Sequence, residues 1–174
     1  LFANVPAREK FLKSSRSEFS RIRECLIGIC LAHPETGFEL KRAGRTEFSL
    51  STHCGLRERC ALFMSEQAEK AMRNIAARGT EYDLYGIVSN ENYHEITRRN
   101  QYVIVGGRPV ENRTLQAAIN QAYQGIIPAG RRAACVLFLV LPEGVCDVNV
   151  HPAKKEVRFA DEDAVFRLLY RRIR

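Results

Sequence analysis

A chain of 174 residues is long enough for one domain whose core needs neither disulfides nor metals. Its 45% hydrophobic and 27% charged residues exclude a disordered tail, a fibre or a coiled coil, and its longest uncharged apolar run, residues 133–141, is far short of the ~20 a membrane-spanning helix needs. The net charge of +7 is concentrated in residues 96–174, with 13 basic against 7 acidic side chains, an imbalance that suits a phosphate-bearing partner or simply a basic surface.

Taken in chain order, Ser15-Arg16-Ser17-Glu18 has the spacing of a capping box with Ser15 as N-cap. Phe19, Ile22, Leu26 and Ile29 follow at helical spacing, so residues 15–31 are predicted to form an amphipathic helix that Pro34 ends. Phe38 and Leu40, then Phe48 and Leu50, alternate on either side of Ala43-Gly44 and predict a β-hairpin. Residues 57–69 read as one helix, whereas 70–77 fit neither period. Tyr82, Leu84, Gly86 and Val88 alternate as a strand does, residues 90–100 are polar and read as an exposed loop, and 101–105 predict a short strand. Asn112 is a good N-cap for a helix carrying Leu115, Ala118, Ile119, Ala122 and Tyr123 on one face, with Gly125 as its C′ glycine. Residues 133–141 form a continuous apolar run of strand length, buried on both faces, and 146–150 predict another strand. Asp161, Glu162 and Asp163 precede Val165, Leu168 and Leu169, and Arg171 and Arg172 follow, so acid comes first and base last as a helix dipole favours. This order predicts a mixed α/β domain, an α+β sheet with helices packed on one face.

The chain contains no self-sufficient catalytic constellation. Gly125 to Arg132 imitates a phosphate-binding P-loop in its glycine spacing, yet lacks the Lys and Ser/Thr and precedes a strand. His53-Cys54 with Cys60 matches no zinc spacing, and His94-Glu95 lacks a second His. The six cysteines, none in a Cys-x-x-Cys, fit a reducing compartment. No signal peptide is visible. The start at Leu1 and the stop in Arg171-Arg172-Ile173-Arg174 suggest a piece of a longer protein.

Two segments stand out: Leu1-Phe2-Ala3-Asn4-Val5-Pro6-Ala7-Arg8, and Asp147-Val148-Asn149-Val150-His151-Pro152-Ala153-Lys154-Lys155-Glu156-Val157-Arg158-Phe159. In the second, a strand leads into a turn at Pro152 that carries two lysines. By spacing alone these are either solvated turn residues or a point charge for phosphate. Both segments resemble signatures of the MutL family of DNA mismatch repair ATPases, and Gly107-Arg108-Pro109-Val110 with the helix after it is similar to that family's middle segment. Gly106 stands where the family usually has Asn, and Asn4-Val5 where it usually has Asn-Thr.

The resemblance covers essentially the whole chain and implies the second, or transducer, half of the family's N-terminal ATPase region. That half has the topology of the second domain of a ribosomal small-subunit protein, here over residues 15–174, with residues 1–14 as the connecting segment. The resemblance implies ATP and Mg2+ bound mainly by a preceding subdomain of the gyrase, Hsp90, histidine-kinase and MutL type, with no cofactor and no metal held by this segment itself, which is expected to be inactive alone. It assigns Lys154 to the γ-phosphate and Arg113, with Arg108, to a DNA-contacting groove. Arg131 and Arg132 join them on charge. The implied partners are DNA, a MutS-type mismatch recognition protein and a second copy in an ATP-dependent dimer, with no membrane. The location is cytoplasmic and nucleoid-associated in a bacterium, or nuclear in a eukaryote. Competing readings are a stand-alone basic nucleic-acid-binding module, a relative of gyrase B, for which a Gln-Thr-Lys loop is missing, and a purely structural domain.

Overall fold

The structure, a computed structural model, describes residues 10–78, 82–142, 144–147 and 156–174. The motif residues 1–9 and 148–155, Lys154 and Lys155 among them, lie outside the described residues. In chain order the elements are α1 (Ser15–Ala32), β1 (Phe38–Arg42), β2 (Arg45–Leu50), α2 (Leu56–Phe63), α3 (Glu66–Ala71), β3 (Met72–Ala77), β4 (Asp83–Ser89) and β5 (His94–Glu95). They continue with β6 (Gln101–Val105), β7 (Arg108–Val110), α4 (Arg113–Ala122), β8 (Arg132–Ala133), β9 (Cys135–Val140), β10 (Cys146–Asp147), β11 (Arg158–Phe159) and α5 (Glu162–Ile173). Among the described residues no helix is long and apolar enough to cross a membrane.

Five strands form the central sheet in the order β3-β4-β9-β6-β7. β6 and β9 run parallel and the other neighbours antiparallel, so the sheet is mixed, as the element order predicts. The helices, however, cover both faces and not one. Side chains alternate across each strand. Leu84, Val88, Val103, Val105, Leu137 and Leu139 point to α4 and α5. Ile87, Ile104 and Val136, one residue out of phase, point to Ile27 and Leu31 of α1 and Cys60 of α2. The apolar run in β9 is the reason both layers exist: a strand with no polar side needs a cover on each face. β4 crosses β9 so closely that a Cβ at Gly86, φ +146°, would stand 2.1 Å from the Val136 carbonyl oxygen. Only glycine fits there.

Local chemistry shifts several boundaries. The N-cap of α1 is Ser14, not Ser15: its Oγ accepts from Ser17 N–H at 3.3 Å, and Glu18 reaches back to Lys13 N–H at 3.0 Å. The single helix expected over 57–69 is two, because Ser65 caps α3 with its own hydroxyl on Ala68 N–H. The ambiguous 70–77 is strand β3, buried at Met72, Ile75 and Ala77. α4 ends at C-cap Tyr123, so Gly125 lies two residues past the cap. The polar stretch 90–100 is not simply a loop: β5 pairs with β8, and Asn100 is buried, with Nδ2 bonded to Tyr93 and Glu95. The hairpin β1–β2 forms as expected, with positive φ at both Ala43 and Gly44.

Arg59 of α2 is completely buried and has no carboxylate among its bonds. Its guanidinium donates to six carbonyls: Cys54 (2.7 Å), Cys30 (2.7 Å), His33 (3.0 Å), Pro34 (2.7 Å), Thr36 (2.7 Å) and Ser51 (3.3 Å). A lysine has three donors on one atom and no planar fork. Arg59→Lys therefore leaves at least three carbonyls unserved, at ~1–3 kcal/mol for each buried acceptor stranded. The expected loss is ~3 kcal/mol or more, a fall of about 6–12 °C in Tm. Thermal unfolding followed by circular dichroism measures it; a variant melting within about 2 °C of the parent contradicts this account.

Candidate nucleic-acid interface

Each predicted arginine is placed by the element that carries it. The β6–β7 hairpin turns on Gly106 and Gly107, both at positive φ (+56° and +73°), and sets Arg108 at the exposed start of β7. Arg113 is the first residue of α4 and is exposed. α4 has no acidic residue in its first turn, so the positive end of its dipole adds to that charge. Arg131 and Arg132 sit beyond the other end of α4, which at 1.5 Å per residue is ~15 Å long. Arg132 spends one donor on the Arg131 carbonyl at 3.1 Å, and its backbone is paired with Glu95. Arg131 and Arg132 thus stand together and apart from Arg108, and the four arginines do not form one patch.

A groove of about 1080 Å³ runs between α1, residues 97–103, β7 and the first turns of α4. Its cationic side chains are Arg21, Arg98, Arg99 and Arg108, against the carboxylates Glu24 and Glu111. Arg21 pairs with Glu18 at 3.6 Å and Arg98 donates to Gln116 Oε1. Arg99, Arg108 and Arg113 have no ion-pair partner among the described residues. Gly28, Ile29 and Pro109 supply apolar floor, and the Tyr102 phenol, pushed up to about 12 by burial and then by Glu24, stays neutral. A smaller groove of about 490 Å³ holds Arg131 and Arg132 beside Gln121 and Gln124. Arg98-Arg99 is visible in the sequence only as part of a polar stretch, and Arg21 only as the solvated side of a helix. Their meeting with Arg108 depends on how α1 packs across the sheet.

The arrangement can bind anions along a groove; it holds no group tuned for proton transfer among the described residues. Nor do three His, Cys, Asp or Glu side chains come together there as a metal site. No disulfide joins the cysteines among the described residues. Burial pushes the Cys30 thiol up to about 11, and those of Cys60 and Cys135 up to about 12. At neutral pH these three are protonated, enclosed and unreactive. Brief maleimide labelling of the native protein is expected to modify exposed Cys25 and spare Cys30, Cys60 and Cys135 until denaturant is added. Mass spectrometry of the digest reads the outcome; early labelling of Cys135 is incompatible with this core.

The family described as "DNA mismatch repair protein, C-terminal domain" matches residues 60–174. The chain is 38% identical over 170 residues to a DNA mismatch repair protein MutL of Anaeromyxobacter dehalogenans, which covers 98% of this chain and 28% of that protein. It is 37% identical to the MutL protein of Neisseria meningitidis serogroup B, covering 98% of this chain and 26% of that protein. The chain thus spans little more than a quarter of the length of these relatives. Its fold matches the crystal structure of the N-terminal domain of a DNA repair protein with a TM-score of 0.78, at 22% identity, over 98% of this chain and 57% of that one. It also matches the Aquifex aeolicus MutL ATPase domain complexed with ADP, with a TM-score of 0.62, at 24% identity, over 97% of this chain and 54% of that one.

Proposed function

Because the chain belongs to the MutL family of DNA mismatch repair proteins, we propose that it is the transducer half of the ATPase region of such a protein. In this reading it senses ATP bound by a preceding subdomain and passes the signal to DNA binding and to closure of a dimer. The observation that carries the reading is the coincidence of the Asp147–Phe159 motif with a fold that accounts for only 54% of an ADP-bound ATPase domain. ATP and Mg2+ belong mainly to the remaining part, and the chain contributes Lys154. The Lys154 ammonium is a compact point charge suited to the γ-phosphate, where it favours ATP over ADP and opposes charge build-up as the phosphoryl group departs. DNA is the partner of Arg108 and Arg113, with Arg131 and Arg132 at a second contact one helix length away. Arg99 and Arg98 extend the first contact along the larger groove. A MutS-type protein and a second copy complete the partners, in the cytoplasm of a bacterium or the nucleus of a eukaryote.

The first test addresses the nucleotide. In a protein that includes the preceding subdomain, Lys154→Ala is expected to lower ATP turnover ~100- to 1000-fold while the fold is kept. Lys155→Ala is expected to do much less, and Lys154→Arg to rescue only in part. ATP turnover at the parent rate in Lys154→Ala, or a dead Lys155→Ala, removes the assignment.

The second test addresses DNA. Each phosphate contact releases counterions, so affinity falls steeply and linearly in log–log form with salt. Arg113→Glu is expected to weaken duplex binding alike for all sequences and to flatten the salt slope by at least about one contact. Fluorescence anisotropy across a salt series reads both. Salt-independent binding, or a loss confined to one sequence, would exclude a phosphate-tracking surface and favour a module that reads bases.

A further inference from the structure

Between β5 and β6 the chain leaves the body of the protein as a short loop. Ile96, Thr97, Arg98 and Arg99 are all exposed, and Asn100 is buried again. Side chains close the base of this loop. Asn100 Nδ2 donates to Glu95 Oε1 at 3.2 Å and to the Tyr93 hydroxyl oxygen at 3.3 Å. The Tyr93 hydroxyl donates to the same Glu95 oxygen at 2.5 Å. The entry to the loop is held by the pairing of β5 with β8, and the exit by Cys135 N–H, which donates to the Asn100 carbonyl at 2.8 Å. Within the loop, Gln101 N–H closes a turn on the Arg98 carbonyl at 3.1 Å, and the Arg98 side chain donates to Gln116 of α4.

Glu95 is the acid nearest in sequence to Arg98 and Arg99, yet among the described residues it pairs with neither. Its Oε1 is taken by the two donors from Tyr93 and Asn100. Burial, then the bond to Glu95, pushes the Tyr93 phenol up, so at neutral pH it keeps the proton it donates. The carboxylate thus serves the base of the loop and not its tip. Arg98 and Arg99 line the larger groove together with Arg21 and Arg108. A loop pinned at both ends has less freedom left to lose when its side chains engage a ligand.

We propose that Glu95 is a positioning residue: clasped by Tyr93 and Asn100, it presets the loop that presents Arg98 and Arg99 to DNA. The inference rests on the reading of the larger groove as a DNA surface. Charge and positioning have opposite signs at this residue. On charge alone, removing an acid beside a phosphate-binding surface tightens DNA binding. Where the acid holds the loop, removing its acceptor weakens binding, because the arginines must then be ordered anew on the DNA. Glutamine at 95 separates the two effects, since it keeps an oxygen for Tyr93 and Asn100 and carries no charge.

Fluorescence anisotropy with a labelled short DNA duplex at fixed low salt compares the parent chain with Glu95→Ala, Glu95→Gln and the double variant Arg98→Gln, Arg99→Gln. Glu95→Ala is expected to bind ~2- to 10-fold more weakly than the parent. Glu95→Gln is expected to bind at least as tightly as the parent. Added to the double variant, Glu95→Ala is expected to cost nothing further, because the side chains it positions are gone. Glu95→Ala binding as tightly as the parent or tighter, Glu95→Gln as weak as Glu95→Ala, or a full Glu95→Ala loss on top of the double variant overturns the positioning role while leaving the arginines as DNA contacts. A double variant that binds as the parent does removes this loop from the DNA surface, and the positioning role with it. Thermal melting monitors the fold. Should Glu95→Ala be unfolded at the assay temperature, Asn100→Ala, which removes the donor that ties the loop's exit to Glu95, takes its place with the same expected weakening.

Discussion

The carbonyls at the end of α1 set the condition that the rest of the α1 side of the molecule obeys. The last turn of a helix leaves carbonyls without intrahelical donors. Here the deficit is enlarged by Pro34, whose nitrogen has no hydrogen to offer Cys30 four residues back. Arg59 answers from α2, serving Cys30 and His33 at the helix end, Pro34 and Thr36 in the turn that follows, and Ser51 and Cys54 beyond the hairpin. A full positive charge in a closed interior would ordinarily require a carboxylate. Six carbonyl dipoles and the negative end of a helix take its place. Helix, hairpin and α2 are consequently fixed to one another by a single side chain, and Phe48 packing edge-to-face on Phe63 at 5.1 Å closes the apolar layer around it.

The same device recurs at the ends of α4 and α5. Arg174 donates to the carbonyls of Gln124 (2.7 Å) and Ala122 (3.3 Å) where α4 finishes, and Arg73 of β3 donates to the Ile173 carbonyl where α5 finishes. Neither α1 nor α4 carries a basic residue in its own last turn, so each receives its cation from elsewhere in the chain. This changes the meaning of the net charge of +7. Three arginines donate to the protein's own helix-end carbonyls, and one of them, Arg59, is fully buried. The net charge therefore includes cations that the protein's own carbonyls already engage. Charge counted along a sequence overstates charge offered to a ligand wherever helices end without cations of their own.

What was legible in the residues was what local rules decide. The α4 N-cap, the β9 run and the β1–β2 turn follow from side-chain spacing and from donors within three residues of the groups they satisfy. The choice between Ser14 and Ser15 turned on which hydroxyl meets Ser17 N–H, a distinction that two adjacent serines do not carry in their order. The helix break at Ser65 hid in a stretch whose residues all suit a helix. Helices on both faces went unseen because the two layers are out of phase by one residue in every strand, and β9 alone announced it. Arg59 was the largest omission: its acceptors are carbonyls, which every residue has, so no side-chain pattern marks them. That Arg98, Arg99 and Arg108 line one groove is hidden for a related reason, since α1 has to be in place to form its other wall.

Gly106 brings these strands of argument together. The family resemblance sets Asn at this position, and a departure beside Arg108 invites the idea of altered binding. The backbone there has φ +56°, the left-handed region that Gly and Asn both enter readily, and a Cβ at Gly106 would meet nothing within 4 Å. Gly-Gly and Asn-Gly therefore make the same two-residue turn and deliver Arg108 to the same place. Gly107 is the constrained member: a Cβ there would lie 3.1 Å from His33 Cε1. That contact seats the β6–β7 turn against the end of α1, where the His33 carbonyl is already held by Arg59. One wall of the groove is thus anchored, through His33, to the carbonyl knot under the other, so the protein's own backbone chemistry fixes the two walls relative to each other.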